Sequence, residues 1–235
     1  MKNRISVVAV VLALLVILCS CIIVLDPDRD DSDKISVSSV FKGPVKDSSG
    51  KVKSYQYMAY VKNNTSQPME NLKVCVIWED SLGDEIMRSN TITIPRLESG
   101  MMWPISDYRT SASDINRLNS LYSTATVKYL SSGSASSSKY VTGIEVVNPY
   151  IYHTEGSQTV VTGKLRNPYY SDVKYPTIYV VSESSSGKIV EYGYKKLNGT
   201  IVHGFDVSFE MTLNPPAGTP KAGKTYFFVV GTKDE

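Results

Sequence analysis

The chain repeats itself at a fixed spacing, and this repeat constrains its fold more than any other feature of the sequence. Four punctuating residues recur 104 positions later, in the pairs Asn63/Asn167, Gly83/Gly187, Gly100/Gly204 and Tyr122/Tyr226. Apolar residues keep the same spacing, in the pairs Val61/Leu165, Val74/Ile178, Val76/Val180 and Ile86/Val190. Upstream, Ile35 and Val37 match Ile144 and Val146 at a spacing of 109, which gives the first copy five more residues in the loop near "GPVKDSSGK". The chain is therefore expected to contain two copies of one domain.

Each copy carries the signals of β-strands. The runs "NLKVCVIWE" and "YPTIYVVSE" are rich in β-forming residues, and "SLGDE" and "SSGKI" are typical of hairpin turns in which Gly takes a positive φ. About six or seven short strands in roughly 95 residues predict an immunoglobulin-like β-sandwich. In the first copy, "SASDINRLNSLY" predicts a short helix capped by Ser113 or Asp114, with Ile115, Leu118 and Tyr122 on one face. The aligned segment "NPPAGTPKAGKTY" contains too much Pro to be helical.

The predicted fold class is all-β, with two tandem immunoglobulin-like β-sandwich domains after an N-terminal transmembrane helix. The parts are a membrane anchor at 1–25, an acidic stalk at 26–34, a first sandwich at 35–130, a Ser-rich linker at 131–139 and a second sandwich at 140–235. Each copy is expected to fold on its own, since each has its own alternating strands. The alternative is a long hairpin loop inside one larger domain, and the repeat argues against it.

The order of elements resembles a known family. A strand, Asn, a second strand, an acidic turn with Gly, a third strand, Gly and an apolar strand follow one another in both copies, as in the FxLYD-type immunoglobulin-like domains of bacterial and archaeal surface proteins. The eponymous motif falls on Val76 to Asp80, followed by Gly83, where only the Asp is kept, and on Val180 to Ser184, where the Asp is lost as well. The resemblance implies extracytoplasmic sandwich modules to which no enzymatic activity is assigned.

The N-terminal stretch predicts a membrane anchor. Ile5 to Leu25 contains no charge, and at 1.5 Å per residue its length matches a bilayer core of about 30 Å. Lys2 and Arg4 precede it and the acidic run "DPDRDDSDK" follows it. Because positive charge stays on the cytoplasmic side, we expect a single-pass protein of the cell membrane with a cytoplasmic N-terminus and the bulk of the chain outside.

Two other fates of this stretch are open. "LCSC" resembles a bacterial lipobox in which Cys21 would be lipidated, so a lipid anchor is the first alternative. The apolar run continues after Cys21 as "IIVL", and Cys19 is an unusual residue beside it, which favours an uncleaved helix. The second alternative is a cleaved secretory signal, but the run is longer than such an apolar core and has no A-x-A site.

Charge and cysteine content exclude several classes of function. The chain has 25 Lys and Arg against 23 Asp and Glu, and two of the basic residues are Lys2 and Arg4, so the part after the apolar run is neutral. Nucleic-acid binding is not expected, because it needs a basic face. Only Cys75 lies beyond the apolar run, so no disulfide framework can form within either copy.

No metal, cofactor or catalytic site is expected. The acidic run alternates Asp as a calcium loop does, but the positions that an EF-hand needs as Gly and Glu hold Asp31 and Val37. The only histidines, His153 and His203, lie 50 residues apart and give no zinc spacing and no Ser-His-Asp set. Since no nucleophile and base can be paired, the chain is predicted not to be an enzyme.

Tyrosine-rich segments of the second copy are the best candidates for a binding surface. "NPYIYHTEG" and "NPYYSDVKY" carry Tyr150, Tyr152, Tyr169, Tyr170 and Tyr175. Exposed Tyr suits binding because it offers a large contact area with few rotatable bonds. The alternative is that these rings pack the edges of the sandwich. Acceptor sequons on expected loops make Asn63, Asn64 and Asn198 candidate glycosylation sites.

These features predict a membrane-tethered extracytoplasmic binding or structural protein whose two modules contact another envelope protein. Two alternatives remain. The first is a cell-surface carbohydrate-binding protein that uses Tyr and Trp platforms. Trp78 aligns with Ser182 and is therefore not a core position that both copies share; a site on the first copy and a core difference of the first copy are both open. The second alternative is an accessory subunit of a membrane complex, recruited through the anchor helix.

Overall fold

The computed structural model describes residues 31–134, 139–154, 158–213 and 223–233. The predicted anchor (1–25), with Cys21, lies outside these residues, and so does most of the predicted stalk, whose end forms a short 3-10 turn at Asp31–Lys34. Residues Ser32–Glu235 form one compact unit. Within the described ranges, no helix combines the length and the apolar character needed to cross a membrane.

The described residues form fifteen strands and one α-helix. The first copy contains β1 Ile35–Lys46, β2 Val52–Asn63, β3 Met69–Glu79, β4 Glu85–Arg88, β5 Ile92–Leu97, β6 Met102–Arg109, α1 Ala112–Leu121 and β7 Thr124–Ser134. The second copy contains β8 Tyr140–Thr142, β9 Glu145–His153, β10 Thr159–Arg166, β11 Val173–Glu183, β12 Ile189–Lys196, β13 Thr200–Ile201, β14 Asp206–Leu213 and β15 Lys224–Thr232.

The strands form four antiparallel sheets, consistent with two β-sandwiches of the immunoglobulin-like type. Sheet I is β1-β2-β6, and sheet II is β4-β3-β5 with β7 paired to β3. In the second copy, sheet III is β9-β10-β14, and sheet IV is β12-β11-β15-β8 with β13 paired to β11. Sheets III and IV therefore repeat the strand order of sheets I and II, as the sequence repeat predicts, with the short strand β8 added beside β15 in sheet IV.

The strand register repeats residue by residue. Val61 lies opposite Trp103 in sheet I, and Leu165 lies opposite Val207 in sheet III. Both residues of the second pair lie 104 positions after their equivalents in the first pair. Backbone irregularities repeat too: Asn71 and its equivalent, Tyr175, both have a φ of 47°. The bulges of β1 and β9 repeat at the other spacing, 109, with positive φ at Ser39 and Asn148.

One predicted equivalence is wrong. Tyr122 is the C-cap residue of α1, whereas Tyr226 lies within β15 opposite Val181. The residue at the matching position of the first copy is Thr126, which lies opposite Ile77. The spacing changes here because 14 residues separate β6 from β7 but only 10 separate β14 from β15.

A buried Asn with the same contacts anchors each copy. The Nδ2 amide of Asn63 donates to the carbonyls of Gln67 (2.8 Å) and Leu97 (3.0 Å). The Asn167 amide donates to the carbonyls of Ser171 and Ile201, at 2.9 Å each. In both copies the backbone N–H of a positive-φ Gly, Gly100 or Gly204, donates to the carbonyl of this Asn. Each Asn therefore holds two loops together at one end of its sandwich.

The core of the first sandwich is built around Trp78. Its side chain is fully buried, and its ring lies 5.5–6.5 Å from the rings of Tyr55, Tyr57 and Tyr122. Its Nε1 donates to Asp107 at 2.8 Å. Trp78 is thus a core residue that only the first copy has. The Tyr122 ring belongs to the cluster because α1 lies beside the sandwich.

The predicted helix exists, but its cap differs from the prediction. The N-cap of α1 is Ser111, whose hydroxyl accepts from the backbone N–H of Asp114 at 3.1 Å. Neither Ser113 nor Asp114 fills that role. Leu118 is the buried residue of the helix, as its position on the apolar face predicts.

The two sandwiches pack directly against each other. Met58 and Tyr60, on the outer face of sheet I, form a buried cluster with Val181 and Ile189 of sheet IV. The Trp103 ring, on edge strand β6, lies 5.1 Å from the Tyr179 ring. The predicted boundary at 130 also falls inside β7, which continues to Ser134 and pairs with β3. The two copies therefore share a packed interface and are not separated by a linker alone.

Candidate binding surfaces

All five predicted surface tyrosines are exposed, but their ring contacts place them in separate groups. Tyr150 and Tyr152 contact each other on β9. Tyr170 contacts His203, and Tyr169 lies beside it in the loop between β10 and β11. Tyr175 contacts Lys196, whose Nζ lies 5.5 Å from the ring centre. The second sandwich thus presents more than one aromatic surface.

The buried Asn167 positions the surface that contains Tyr169 and Tyr170. Its amide ties the loop that carries Tyr169 and Tyr170 to the end of β13. Its Oδ1 accepts from the Tyr169 backbone N–H at 2.9 Å, and His203 Nδ1 lies 2.8 Å from the Tyr169 carbonyl oxygen. We call the resulting surface the aromatic end; it consists of Tyr169, Tyr170, Val202, His203 and Phe205.

The aromatic end is exposed and held in a fixed conformation. Tyr170 is 94% exposed and Phe205 is 68% exposed. The Tyr169 hydroxyl donates to the Thr142 carbonyl and occupies the space that a side chain on Gly143 would need. Exposed aromatic side chains on loops that backbone and amide hydrogen bonds hold in place are a typical arrangement for a binding surface.

The first sandwich provides an internal control for this surface. The residues at the equivalent positions are Thr65, Ser66, Glu98, Ser99 and Met101. The framework is the same, with a buried Asn and a positive-φ Gly, but four of the five side chains are polar or charged. The aromatic character therefore does not follow from the requirements of the fold. The signal in the sequence was this difference between the copies, and it would have added Val202, His203 and Phe205 to the prediction.

Charges near the aromatic end are few. Arg166 and Asp206 form an ion pair with 2.8 Å between Nε and Oδ1. Hydrogen bonding to Arg166 holds the pKa of the Asp206 carboxyl below its usual range, so it stays ionised at neutral pH. The loop between β10 and β11 contains one acidic residue, the exposed Asp172. The surface is therefore mainly apolar, with hydroxyl and imidazole groups among the rings.

Tyr150 and Tyr152 lie elsewhere, on the outer face of sheet III. They stand opposite Thr162 and Val160 of β10, and their ring centres are 5.8 Å apart. Strand β9 is the edge of its sheet, so these rings are also close to an open strand edge. An exposed aromatic pair at a sheet edge is suited to contact with another protein surface.

Tyr175 has an unusual backbone conformation. Its φ of 47° is uncommon for a bulky residue and costs of order 1 kcal/mol or more. The first copy has Asn71 at this position, a residue that tolerates the left-handed region. The exposed Tyr175 side chain therefore lies on a strained backbone.

The predicted glycosylation sites differ in exposure. Asn63 is fully buried and its amide makes the two loop-closing hydrogen bonds, so the folded domain has no room for a glycan there. Asn64 and Asn198 are exposed. The expectation of modification therefore rests on these two residues.

The tryptophans do not form a carbohydrate platform. Trp78 is in the core of the first sandwich, and Trp103 is buried against the second sandwich. The predicted use of Trp in a surface platform is therefore wrong. The exposed aromatic residues of the described surface are Tyr and Phe.

The two histidines contact different partners, His203 in the aromatic end and His153 beside Thr159. His153 Nδ1 lies 3.1 Å from Thr159 Oγ1, which donates to the buried Glu191 at 2.5 Å. The Thr159 hydroxyl lies between the His153 ring and the Glu191 carboxylate, so this carboxylate does not orient the imidazole. In the described parts of the chain, no group of three or more His, Cys, Asp or Glu is placed to hold a metal ion.

No protein-family model matches the chain, and no curated protein matches it. Among solved structures, red sea bream transglutaminase matches with 11% identity and a TM-score of 0.24. The match covers 85% of this chain but only 30% of the transglutaminase chain. A TM-score this low carries no argument about function.

Proposed function

We propose that this chain is a membrane-tethered binding protein that contacts another envelope protein through the aromatic end of its second sandwich. The observation that carries the proposal is the contrast between the copies. On the same framework, the second copy presents Tyr170, His203 and Phe205 where the first copy presents Ser66, Ser99 and Met101.

The physical argument is one of preorganisation. Binding costs free energy whenever side chains or loops must be ordered, so a surface that is already held in place binds with less loss. Here the buried amide of Asn167 ties the loop after β10 to the end of β13, and the Tyr169 hydroxyl ties the same loop to Thr142, before any partner binds. Aromatic anchors of this kind dominate the energetics of protein interfaces.

A protein partner fits the surface better than a glycan does. Phe205 and Val202 offer no hydrogen bonds, and the flanking Arg166 and Asp206 satisfy each other. Sugars need several polar partners, whereas an apolar patch with a polar rim matches a protein surface. Carbohydrate binding is thus the second candidate, supported by the exposed rings of Tyr170 and His203.

The proposed location rests on the sequence. An uncleaved helix at 5–25 with Lys2 and Arg4 before it would leave both sandwiches outside the cell. The resemblance to FxLYD-type domains of surface proteins points the same way. Cys21→Ala should leave the full chain in the membrane with only the mass change of the substitution. A diacylglycerol on Cys21 in the wild type would replace the helix with a lipid anchor.

The function is tested by photo-crosslinking from the full chain in its native membranes. A photoreactive phenylalanine analogue at position 170 should give a discrete protein adduct, and Phe205→Ser should reduce its yield. The same analogue at position 66, the equivalent site of the first sandwich, is the matched control and should give no adduct. Equal labelling from both positions would contradict the proposal. Binding to a glycan array that Tyr170→Ser abolishes would favour the carbohydrate alternative.

A further inference from the structure

The contact between the two sandwiches joins two different faces. The outer face of sheet I contributes Met58 and Tyr60, and the outer face of sheet IV contributes Val181 and Ile189. Phe41, Tyr192 and Phe228 pack around this cluster. One sandwich therefore uses the outer side of its β1-β2-β6 sheet, and the other uses the outer side of the opposite sheet. An interface of this type is heterologous, because the two partners use different surfaces.

Because the chain has two copies, each of these two faces has an equivalent that the internal interface does not cover. The outer face of sheet III is equivalent to that of sheet I, and the outer face of sheet II is equivalent to that of sheet IV. Tyr150 occupies the position of Phe41, since Tyr150 lies opposite Thr162 and Phe41 lies opposite the equivalent Met58. Tyr150 is 65% exposed, whereas Phe41 packs against the second sandwich. The ring that would contact a neighbouring sandwich is thus present on sheet III.

Charges at the equivalent positions are complementary. In the internal interface Glu183 lies beside Tyr60, and the matching pair in a repeated interface is Glu79 with Lys164. Likewise Ser106 lies beside Tyr192, which corresponds to Glu210 with Arg88. Lys164, Glu210 and Arg88 are exposed, and Glu79 is half-buried. Both pairs place opposite charges next to each other, and Arg88 also forms an ion pair with Glu85 of its own sandwich.

One pair opposes this arrangement. The rings of Tyr60 and Phe228 lie 5.9 Å apart in the internal interface. By the strand registers, the equivalent residues are Lys164 and Lys128. Their like charges would offset part of the attraction of the two opposite pairs, and all three contributions are small because the groups are largely exposed. The balance is two attractive pairs against one repulsive pair.

We infer that a second copy of this chain docks its sheet II against sheet III of the first, repeating the internal interface between molecules. The inference is independent of the aromatic end, which lies on other loops. Because the interface is heterologous, it propagates head to tail and can build open chains of molecules on a membrane surface. The polar residues of sheet III, Thr162 and Lys164 in place of Met58 and Tyr60, make the contact between molecules weaker than the internal one.

Disulfide crosslinking of the full chain in its membranes tests this contact. Two differently tagged chains are co-expressed, one carrying Lys164→Cys and the other Glu79→Cys. Oxidation should give a disulfide-linked heterodimer. The matched control pairs Lys164→Cys with Lys51→Cys, at an exposed turn away from both faces, and has the same native cysteines. A yield no higher than the control would overturn the inference, and so would an equal yield from Lys164→Cys paired with itself.

Charge reversal then separates this geometry from random collision. Arg88→Glu and Glu210→Lys should each lower the yield by about twofold to fivefold, and the two changes together should restore it. Lys128→Glu removes the like-charge pair and should raise the yield by a similar factor. Yields that ignore all three charge changes would contradict the repeated interface. A crosslink from Lys164→Cys to an unrelated protein, without any to this chain, would assign sheet III to another partner.

Discussion

Val181 tests the coupling between the sandwiches, because it belongs to the second sandwich but packs against the first. Its side chain is fully buried in the cluster that includes Met58 and Tyr60. Val181→Ala removes two carbon atoms, each worth about 0.8 kcal/mol in transfer free energy, and leaves a small cavity, so the expected loss is about 2 kcal/mol. For a chain of this size that corresponds to a lower Tm by about 4–8 °C.

The assay uses the natural distribution of tryptophan. The chain contains two tryptophans, Trp78 and Trp103, and both lie in the first sandwich. Thermal unfolding of the full chain in detergent, followed by Trp fluorescence, therefore reports on the core of the first sandwich through Trp78 and on its contact with the second sandwich through Trp103, while the substitution is in the second. Val180→Ala is the matched control, because Val180 is equally buried but faces the core of the second sandwich. It separates damage to the interface from damage to the second sandwich alone.

We expect Val181→Ala to lower the Tm reported by Trp fluorescence. An unchanged fluorescence transition in both variants would mean that the sandwiches unfold independently, as the sequence alone predicts, and would refute the coupling. A shift in Val180→Ala without a shift in Val181→Ala would show that the contact between Val181 and the first sandwich contributes no stability.

Three further predictions follow from buried groups and exposed sequons. Asn167→Ala should lower the free energy of unfolding by about 2–4 kcal/mol in guanidinium denaturation, because it leaves buried carbonyls unpaired, while Asn198→Ala should change it by less than about 0.5 kcal/mol; equal effects would contradict the buried-Asn account. Burial raises the pKa of the Cys75 thiol, so peptide mass spectrometry should find Cys75 alkylated only after denaturation; labelling in the native protein would show that this strand opens. In a host that glycosylates its envelope proteins, Asn64 and Asn198 should carry glycans and Asn63 should not; a glycan on Asn63 would mean modification before folding.

The repeat could be predicted from sequence because it is marked by residues with few alternatives. Asn63 and Asn167 each close two loops with a buried amide, and Gly100 and Gly204 adopt positive φ beside them. Residues with such backbone and hydrogen-bonding roles are visible without an alignment of strands. Tyr122 has no such role shared with its supposed partner, and that equivalence failed.

Contact between the sandwiches could not be predicted from the spacing of turn residues. The signal was in β2, where "SYQYMAYV" is rich in apolar and aromatic residues at both alternating sets of positions. A strand whose side chains are buried on both faces must have another structural element packed against each side of its sheet. Tyr57 faces the core of its own sandwich and Met58 faces the second sandwich. Composition within one strand thus carried information about a neighbouring domain.

The aromatic end was predicted only in part, for a related reason. Tyr169 and Tyr170 stand out in "NPYYSD", but Val202, His203 and Phe205 are brought beside them by the hydrogen bonds of Asn167 across 34 residues of sequence. Proximity that depends on tertiary hydrogen bonds is not visible as a sequence motif.

An exchange of side chains between the two copies tests the central claim most directly. The variant combines Tyr169→Thr, Tyr170→Ser, Val202→Glu, His203→Ser and Phe205→Met, so that the second sandwich carries the residues of the first at these positions. Since the first sandwich accepts these residues on the same framework, the Tm should stay within a few degrees of the wild type. The measurement is the amount of envelope protein that a membrane-impermeant crosslinker joins to the full chain in intact cells. A loss of the adduct at unchanged Tm is the predicted result, and an undiminished adduct would contradict binding through the aromatic end.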